Sequence, residues 1–215
     1  MTLSVEKRLF IVTRTLLTFT VAVVAHGIVC LTARAQSQTQ LQLAAEIVRQ
    51  NYCSVGEDVS LQLTVRLRYS NVGSQRLIVY NGHDLFYQTK VRSEPAPLTK
   101  PYEVLLLNMR YFDEEIERIE AHSPGRVFVK LAPGASFERE LITGIGVTDK
   151  ERSSTSVKPG PHTVQLVVST WYQSTKLAEK LREHWRRQGL LWTQPVSSPP
   201  VKVVIERPVT ASRCQ

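Results

Sequence analysis

One stretch of the chain alternates apolar and polar residues without a break. From Val59 to Tyr69 the sequence reads VSLQLTVRLRY, in which six apolar residues alternate with five polar ones. This two-residue period matches a β-strand, whose successive side chains point to opposite faces, and it does not match the 3.6-residue period of an α-helix. We therefore predict a long strand with one buried face and one solvated face.

Seven further segments have strand character, and turn residues separate them. They are residues 76–80, 84–91, 102–111, 126–131, 137–145, 163–172 and 201–207. The dipeptide Asn81-Gly82 and the Pro-Gly pairs at 124–125, 133–134 and 159–160 are typical of tight turns. Short strands separated in this way favour a sandwich or barrel over parallel βαβ units. We predict an all-β, antiparallel sandwich of about seven to nine strands.

One helix interrupts this pattern before the last predicted strand, over residues 175–188. Its apolar stripe follows a 3.6-residue period, and its other faces are basic. The stripe consists of Leu177, Ala178, Leu181 and Trp185, and the basic residues are Lys176, Lys180, Arg182, Arg186 and Arg187. Ser174 or Thr175 can cap its start, and Gly189 can end it. The narrow stripe favours a helix that covers the sandwich, and the alternative is a basic surface for anionic lipid or an acidic partner.

The N-terminus has the pattern of a secretory signal. Lys7, Arg8 and Arg14 accompany an apolar run over residues 16–31, and Ala33-Arg34-Ala35 has the small-x-small form of a cleavage site. We predict a signal peptide over residues 1–35, a flexible leader over 36–42 and a single domain over 43–215. Two alternatives remain, namely an uncleaved membrane anchor, because residues 15–33 carry no formal charge, and a lipoprotein modified at Cys30.

Charge and cysteine content restrict the function classes. The chain carries a net charge of +8, of which the signal contributes +3, so the exported part carries +5. This excess is too small for a nucleic-acid signature. Cys53 and Cys214 remain after cleavage, and export would place them where disulfides persist. We predict a bond between them, and two free thiols are the alternative.

Residues that could carry catalysis or bind metal form no recognised motif. His83, His122, His162 and His184 make neither an H-x-x-x-H pair nor an H-E-x-x-H motif, and the chain has no G-x-S-x-G elbow. The acidic run over residues 113–120 has no glycine to curl a calcium loop, so we interpret it as a solvated face. We expect no catalytic residue, no metal and no cofactor.

Three stretches resemble exported bacterial immunoglobulin-like domains, including the BsuPI-like proteinase-inhibitor group. They are LTVRLRYSNVGSQRLIVY at 63–80, LAPGASF at 131–137 and VKPGPHTVQLVV at 157–168. His162 stands where that group usually has tyrosine. The resemblance implies an immunoglobulin-like sandwich and, more distantly, inhibition of a proteinase.

We therefore expect a non-catalytic, exported binding or interaction domain. Surface loops on a rigid sandwich are the usual place for such a site. The residues expected to contact a partner are Trp192, Trp185, His83, Arg182 and Arg186. We expect an envelope or extracellular protein as the partner and no nucleic acid, and we keep membrane contact as an alternative that is not favoured. Alternatives are a proteinase inhibitor, attachment to the envelope surface through the basic helix, and a hydrolase or metalloenzyme that uses His83, His122 or His162.

Overall fold

The alternating segment lies at the centre of the largest sheet. A computed structural model describes residues 40–55, 58–82, 86–95, 104–108, 124, 127–149, 156–171, 173–206 and 211–214. In sheet order the strands of the first sheet are β13 (Ser212–Arg213), β1 (Leu41–Val55), β2 (Asp58–Asn71), β7 (Ser136–Val147) and β8 (Ser156–Val157). β2 pairs antiparallel with β1 on one side and with β7 on the other.

Two further sheets face the same interior. The second sheet contains β10 (Leu190–Leu191), β3 (Leu77–Tyr80) and β6 (Phe128–Leu131), in that order. The third contains β11 (Val196–Ser197), β9 (Gly160–Ser169), β4 (Phe86–Ser93) and β5 (Val104–Asn108), and β12 (Val201–Ile205) also pairs with β9. The pairs β1–β13, β3–β10 and β7–β8 are parallel, and the other described pairs are antiparallel.

The two faces of β2 have the character that its alternation predicts. Leu61, Leu63 and Leu67 are fully buried in the main core, which also receives side chains from β1, β3, β4, β6, β7, β9 and β12. On the opposite face Arg66 lies 3.4 Å from Glu46 of β1 and 3.2 Å from Glu140 of β7. This outer face is therefore polar and solvated.

The predicted helix is present as α1 (Thr175–Trp185), which ends three residues earlier than expected. The Ser174 hydroxyl accepts a hydrogen bond from the backbone N–H of Leu177 at 3.2 Å, so Ser174 is the N-cap. α1 packs on the outside of the second sheet and not over the interior between the sheets. Its buried residues form a separate cluster with Ile78, Tyr80, Val127, Phe128 and Leu191. All four residues of β3 are buried because this strand has a core on each face.

Most of the predicted architecture is confirmed. The fold is all-β with one helix before the last strands among the described residues, and each predicted strand overlaps an observed one. Of the thirteen strands, β8, β10, β11 and β13 contain two residues each, which leaves nine longer ones. The immunoglobulin-like strand order stays a prediction. No described helix is both long and apolar enough to cross a membrane.

Two predictions about the ends of the domain have different outcomes. The disulfide between Cys53 and Cys214 is present, with the two Cα atoms 4.8 Å apart. The leader was predicted to extend to residue 42, but β1 already begins at Leu41, and Leu41 is buried in the core. The predicted signal and residues 36–39 lie outside the described residues, as does the acidic run at 113–120.

Candidate binding groove beside the helix

The two tryptophans expected to contact a partner are buried. Trp185 is 0 % exposed and packs edge-on against Phe128, with ring centroids 5.1 Å apart. Trp192 is 6 % exposed, lies in the main core and donates a hydrogen bond from Nε1 to the Gln194 carbonyl at 2.8 Å. The prediction of contact through either ring is therefore wrong, because both rings fill the interior.

Exposed apolar side chains do not replace these two rings as a contact surface. The large apolar residues that are exposed lie on five different segments, and they are Val48, Val72, Ile142, Leu190 and Val204. Single exposed apolar residues are ordinary on a soluble domain. The candidate site described below therefore consists mainly of polar and charged groups.

A cavity of about 520 Å³ lies beside the C-terminal end of α1. Arg182, Arg186 and Arg187 line it on the helix side, and Arg76 lines it from the turn between β2 and β3. We call this cavity the arginine groove. Gly189 and Leu190 also line it, and the Leu190 N–H donates a hydrogen bond to the Arg76 carbonyl at 2.8 Å. This bond brings Arg76 and the end of α1, which are far apart in the sequence, to the same cavity.

Gly189 allows the two sides of the groove to approach each other. Its φ is +155°, and a Cβ atom at this position would lie 2.8 Å from the Arg76 carbonyl oxygen. An L-residue is strained at this φ, and the close contact would push the chain away from β3. The sequence predicted that Gly189 ends the helix. In the structure α1 already ends at Trp185, four residues before Gly189.

The arginines of the groove fall into two groups. Arg182 is half-buried, and its guanidinium donates to the Leu191 carbonyl at 3.3 Å and to the Thr193 hydroxyl. Arg182 therefore ties α1 to the strand that follows it. Arg76, Arg186 and Arg187 are exposed, and their guanidinium groups have no hydrogen-bond or ion-pair partner in the part of the chain that the structure describes.

The electrostatics of the groove favour an anion. No described aspartate or glutamate lines it, whereas four arginines do. The negative end of the helix dipole attracts cations at the last turn of α1 and explains part of the arginine content there. It does not explain Arg76, which comes from another part of the chain. A second depression of about 440 Å³ shares Arg186 and Arg187 and is also lined by Glu183 and His184.

The turn before His83, which was expected to contact a partner, is held by a half-buried arginine. Arg139 of β7 donates from Nη1 to the Asn81 side-chain oxygen at 3.2 Å and to the Gly82 carbonyl at 3.0 Å. A Cβ atom on Gly82 would overlap the Tyr80 ring, so this turn requires glycine. His83 itself lies outside the described residues. The sequence analysis did not predict a role for Arg139. The available signal was its position in β7, where the alternation places its side chain on the inward face of the sheet, because arginine is unusual there.

Arg139 lies beside a buried tyrosine. Tyr69 is 1 % exposed, its ring stacks on Phe137 with the centroids 4.7 Å apart, and its hydroxyl has no hydrogen-bond partner among the described residues. Burial raises the pKa of Tyr69, and the Arg139 charge opposes this rise. Burial likewise lowers the pKa of Arg139. The hydroxyl of Tyr69 is therefore a buried polar group without compensation.

Of the three histidines considered for catalysis or metal binding, His83, His122 and His162, the structure describes His162. His162 is buried, its Nδ1 lies 2.9 Å from the Gly160 carbonyl and its Nε2 lies 3.2 Å from the Ser93 hydroxyl. These contacts hold the ring with backbone and a hydroxyl instead of a carboxylate. His122 lies outside the described residues, and within them no three metal-ligating side chains cluster.

Comparison of the chain with protein-family models, curated proteins and solved structures finds no match. The resemblance to exported immunoglobulin-like domains therefore stays a prediction.

Proposed function

We propose that this protein is a non-catalytic, exported binding domain that binds an anionic group of its partner in the arginine groove. Export is supported by the signal pattern at residues 1–35 and by the disulfide between Cys53 and Cys214, because such bonds persist in oxidising compartments. The proposed site keeps Arg182 and Arg186 from the residues expected to contact a partner, omits the buried Trp185 and Trp192, and adds Arg76 and Arg187.

One observation carries the proposal. Arg76, Arg186 and Arg187 converge on one concave surface from two separate parts of the chain, and their guanidinium groups are unpaired among the described residues. Like charges brought together repel one another, so this arrangement costs free energy unless an anion is bound. Guanidinium groups bind carboxylate, sulfate and phosphate groups through paired N–H donors.

The test measures binding of fluorescein-labelled dextran sulfate to the purified, oxidised protein by fluorescence anisotropy at low salt. The groove variant is R76Q/R186Q/R187Q. The matched control is R49Q/K202Q/R213Q, which removes the same charge from exposed positions on β1, β12 and β13. We expect the groove variant to bind roughly tenfold more weakly, since each exposed ion pair contributes about 0.2–1 kcal/mol.

The control should keep its affinity to within about twofold at the same ionic strength. If the two variants weaken equally, binding depends on net charge alone and the groove is not the site. Equal thermal stability of both variants would show that the comparison is made between folded proteins.

A further inference from the structure

We infer that the natural ligand of the arginine groove is an acidic peptide segment of a protein partner, with carboxylates on either side of an apolar residue. This inference rests on the proposed function and adds the chemical class of the ligand. The exposed arginines would bind the carboxylates, and the apolar residue would lie on Leu190.

The lining of the groove combines charge with apolar surface. Arg76, Arg186 and Arg187 line the cavity together with Pro133 and with Leu190, which is 36 % exposed. A sulfated polysaccharide offers anions but has no apolar group for Leu190. A peptide with carboxylates flanking an apolar side chain complements both kinds of surface.

A single small anion is a poorer fit to the groove. Arg76, Arg186 and Arg187 are solvent-exposed, so each ion pair is weakened by water and salt. Useful affinity then requires several carboxylates on one chain, because linked contacts add without a new loss of translational freedom.

An anionic membrane is also a poorer fit. The site is concave, whereas helices that bind membranes place an apolar face and aromatic anchors against a flat surface. The apolar stripe of α1 and the Trp185 ring are buried against the second sheet, and Trp192 lies in the main core. Neither tryptophan ring can therefore serve as an apolar anchor for the basic side of α1 at a membrane surface.

The backbone of the groove is held in place before any ligand binds. Arg182 bonds to the Leu191 carbonyl, and the Leu190 N–H bonds to the Arg76 carbonyl. These bonds fix Leu190 and the backbone of Arg76 relative to α1. A peptide therefore has only the exposed arginine side chains to order, which limits the entropic cost of binding.

The experiment uses fluorescein-labelled peptides and the full oxidised protein. The probe is Gly-Glu-Glu-Leu-Glu-Glu-Gly, and its two controls replace all four glutamates by glutamine or the leucine by serine. We expect the acidic leucine peptide to bind, the glutamine peptide to lose binding, and R76Q/R186Q/R187Q to weaken the acidic peptide roughly tenfold.

A second variant isolates the apolar contact. Leu190→Ser should weaken the leucine peptide on the order of threefold and leave the serine peptide unchanged, because it removes only the apolar surface. Val204→Ser is the matched control, since Val204 is also exposed but lies on β12, and it should leave both peptides unchanged. Leu190→Ser should also leave dextran sulfate binding unchanged.

The outcomes separate this inference from the proposed function. If dextran sulfate binding depends on the groove but the acidic peptide does not bind, the groove is a site and the peptide inference is overturned. The same conclusion follows if sodium phosphate or vesicles of phosphatidylglycerol and phosphatidylcholine bind through the groove and the peptide does not. If no probe depends on Arg76, Arg186 and Arg187, both proposals fail. An equal effect of Leu190→Ser and Val204→Ser would refute the apolar contact.

Discussion

The disulfide between Cys53 and Cys214 joins residues 161 positions apart and fastens the C-terminal segment to β1. Apart from the disulfide, two residue pairs join β13 to β1. The Cys214 N–H donates a hydrogen bond to the Ser54 carbonyl at 3.0 Å, and the Ser54 hydroxyl donates a weaker one to the Ser212 carbonyl at 3.4 Å. The perturbation is the double substitution Cys53→Ala and Cys214→Ala.

The expected magnitude follows from the length of the closed loop. Closing a loop of this length in the unfolded chain restricts its entropy by an amount equivalent to about 5 kcal/mol at 25 °C, which is an upper value for an unstrained bond. Measured effects of native disulfides are about 2–5 kcal/mol. We expect the double variant to lose roughly 3–5 kcal/mol of unfolding free energy, out of a total of about 5–15 kcal/mol for an ordinary domain.

Urea unfolding measures this loss. Trp185 and Trp192 are both buried, so their fluorescence reports the exposure of the helix cluster and of the main core. The double variant should unfold at lower urea concentration and with a larger m-value, because its unfolded chain exposes more surface. The wild-type protein unfolded in reducing buffer should match the variant. If oxidised wild type and variant differ by less than about 1 kcal/mol, the loop-closure argument is refuted.

Two further predictions concern buried aromatic residues. Trp185→Ala should cost about 3–5 kcal/mol of unfolding free energy, because the ring is fully buried, and Trp185→Phe should cost less since the indole Nε1 makes no hydrogen bond within the described part of the chain. Unchanged urea stability together with lost dextran sulfate binding would contradict the structural role of this ring. For Tyr69, the pKa is raised in the folded state, so the unfolded state loses its proton first. Unfolding free energy should therefore fall above about pH 10, by up to about 1.4 kcal/mol per pH unit from this group. Tyr69→Phe should remove this contribution of Tyr69 to the alkaline loss of unfolding free energy. Near pH 7 the substitution should leave the unfolding free energy unchanged or raise it by up to about 1 kcal/mol. Urea unfolding at a series of pH values measures both effects. The same alkaline loss in both proteins would show that Tyr69 does not cause it.

β1 is the longest strand that was not predicted from the sequence, because its alternation of apolar and polar residues is interrupted. β1 alternates from Leu41 to Ala45, but its register with β2 shifts between Ile47 and Arg49, which leaves Val48 outside the regular pairing. A bulge of this kind reverses the faces of all later residues, so the alternation that identifies a strand is interrupted. The polar residues before Leu41 also obscured the start of the strand.

The short strands were missed for a different reason. β8, β10, β11 and β13 contain two residues each, and no periodicity exists over two residues. They exist because the chain passes beside a strand that is already formed, as when Leu190 and Leu191 pair with Leu77 and Ile78. The arginine groove depends on one of these pairings.

The candidate site illustrates the same distinction. The sequence identified Arg182 and Arg186 as residues of interest because they lie on the basic side of an amphipathic helix. It did not identify Arg76, which belongs to a turn more than a hundred residues earlier, and it did not separate the structural role of Arg182 from the exposed arginines. No local signal joins these positions, since their meeting depends on the parallel pairing of β10 with β3.

The sequence by itself determined the properties that depend on neighbouring residues. The alternation from Val59 to Tyr69 determined a half-buried strand, the stripe containing Leu181 and Trp185 determined a helix with one buried face, and the turn residues determined an all-β class. Each of these follows from backbone periodicity and side-chain solubility, which act over a few residues.

Only the tertiary structure decided which surface each element meets. It decided that α1 covers the second sheet, that Trp192 fills the main core, and that Arg76 lies in the same groove as Arg186. The physical reason is that these contacts join residues distant along the chain, and they form only after the sheets have paired and packed. The helix that the sequence favoured as a cover of the sandwich thus packs on the second sheet, and Arg182, Arg186 and Arg187 at its C-terminal end line the arginine groove.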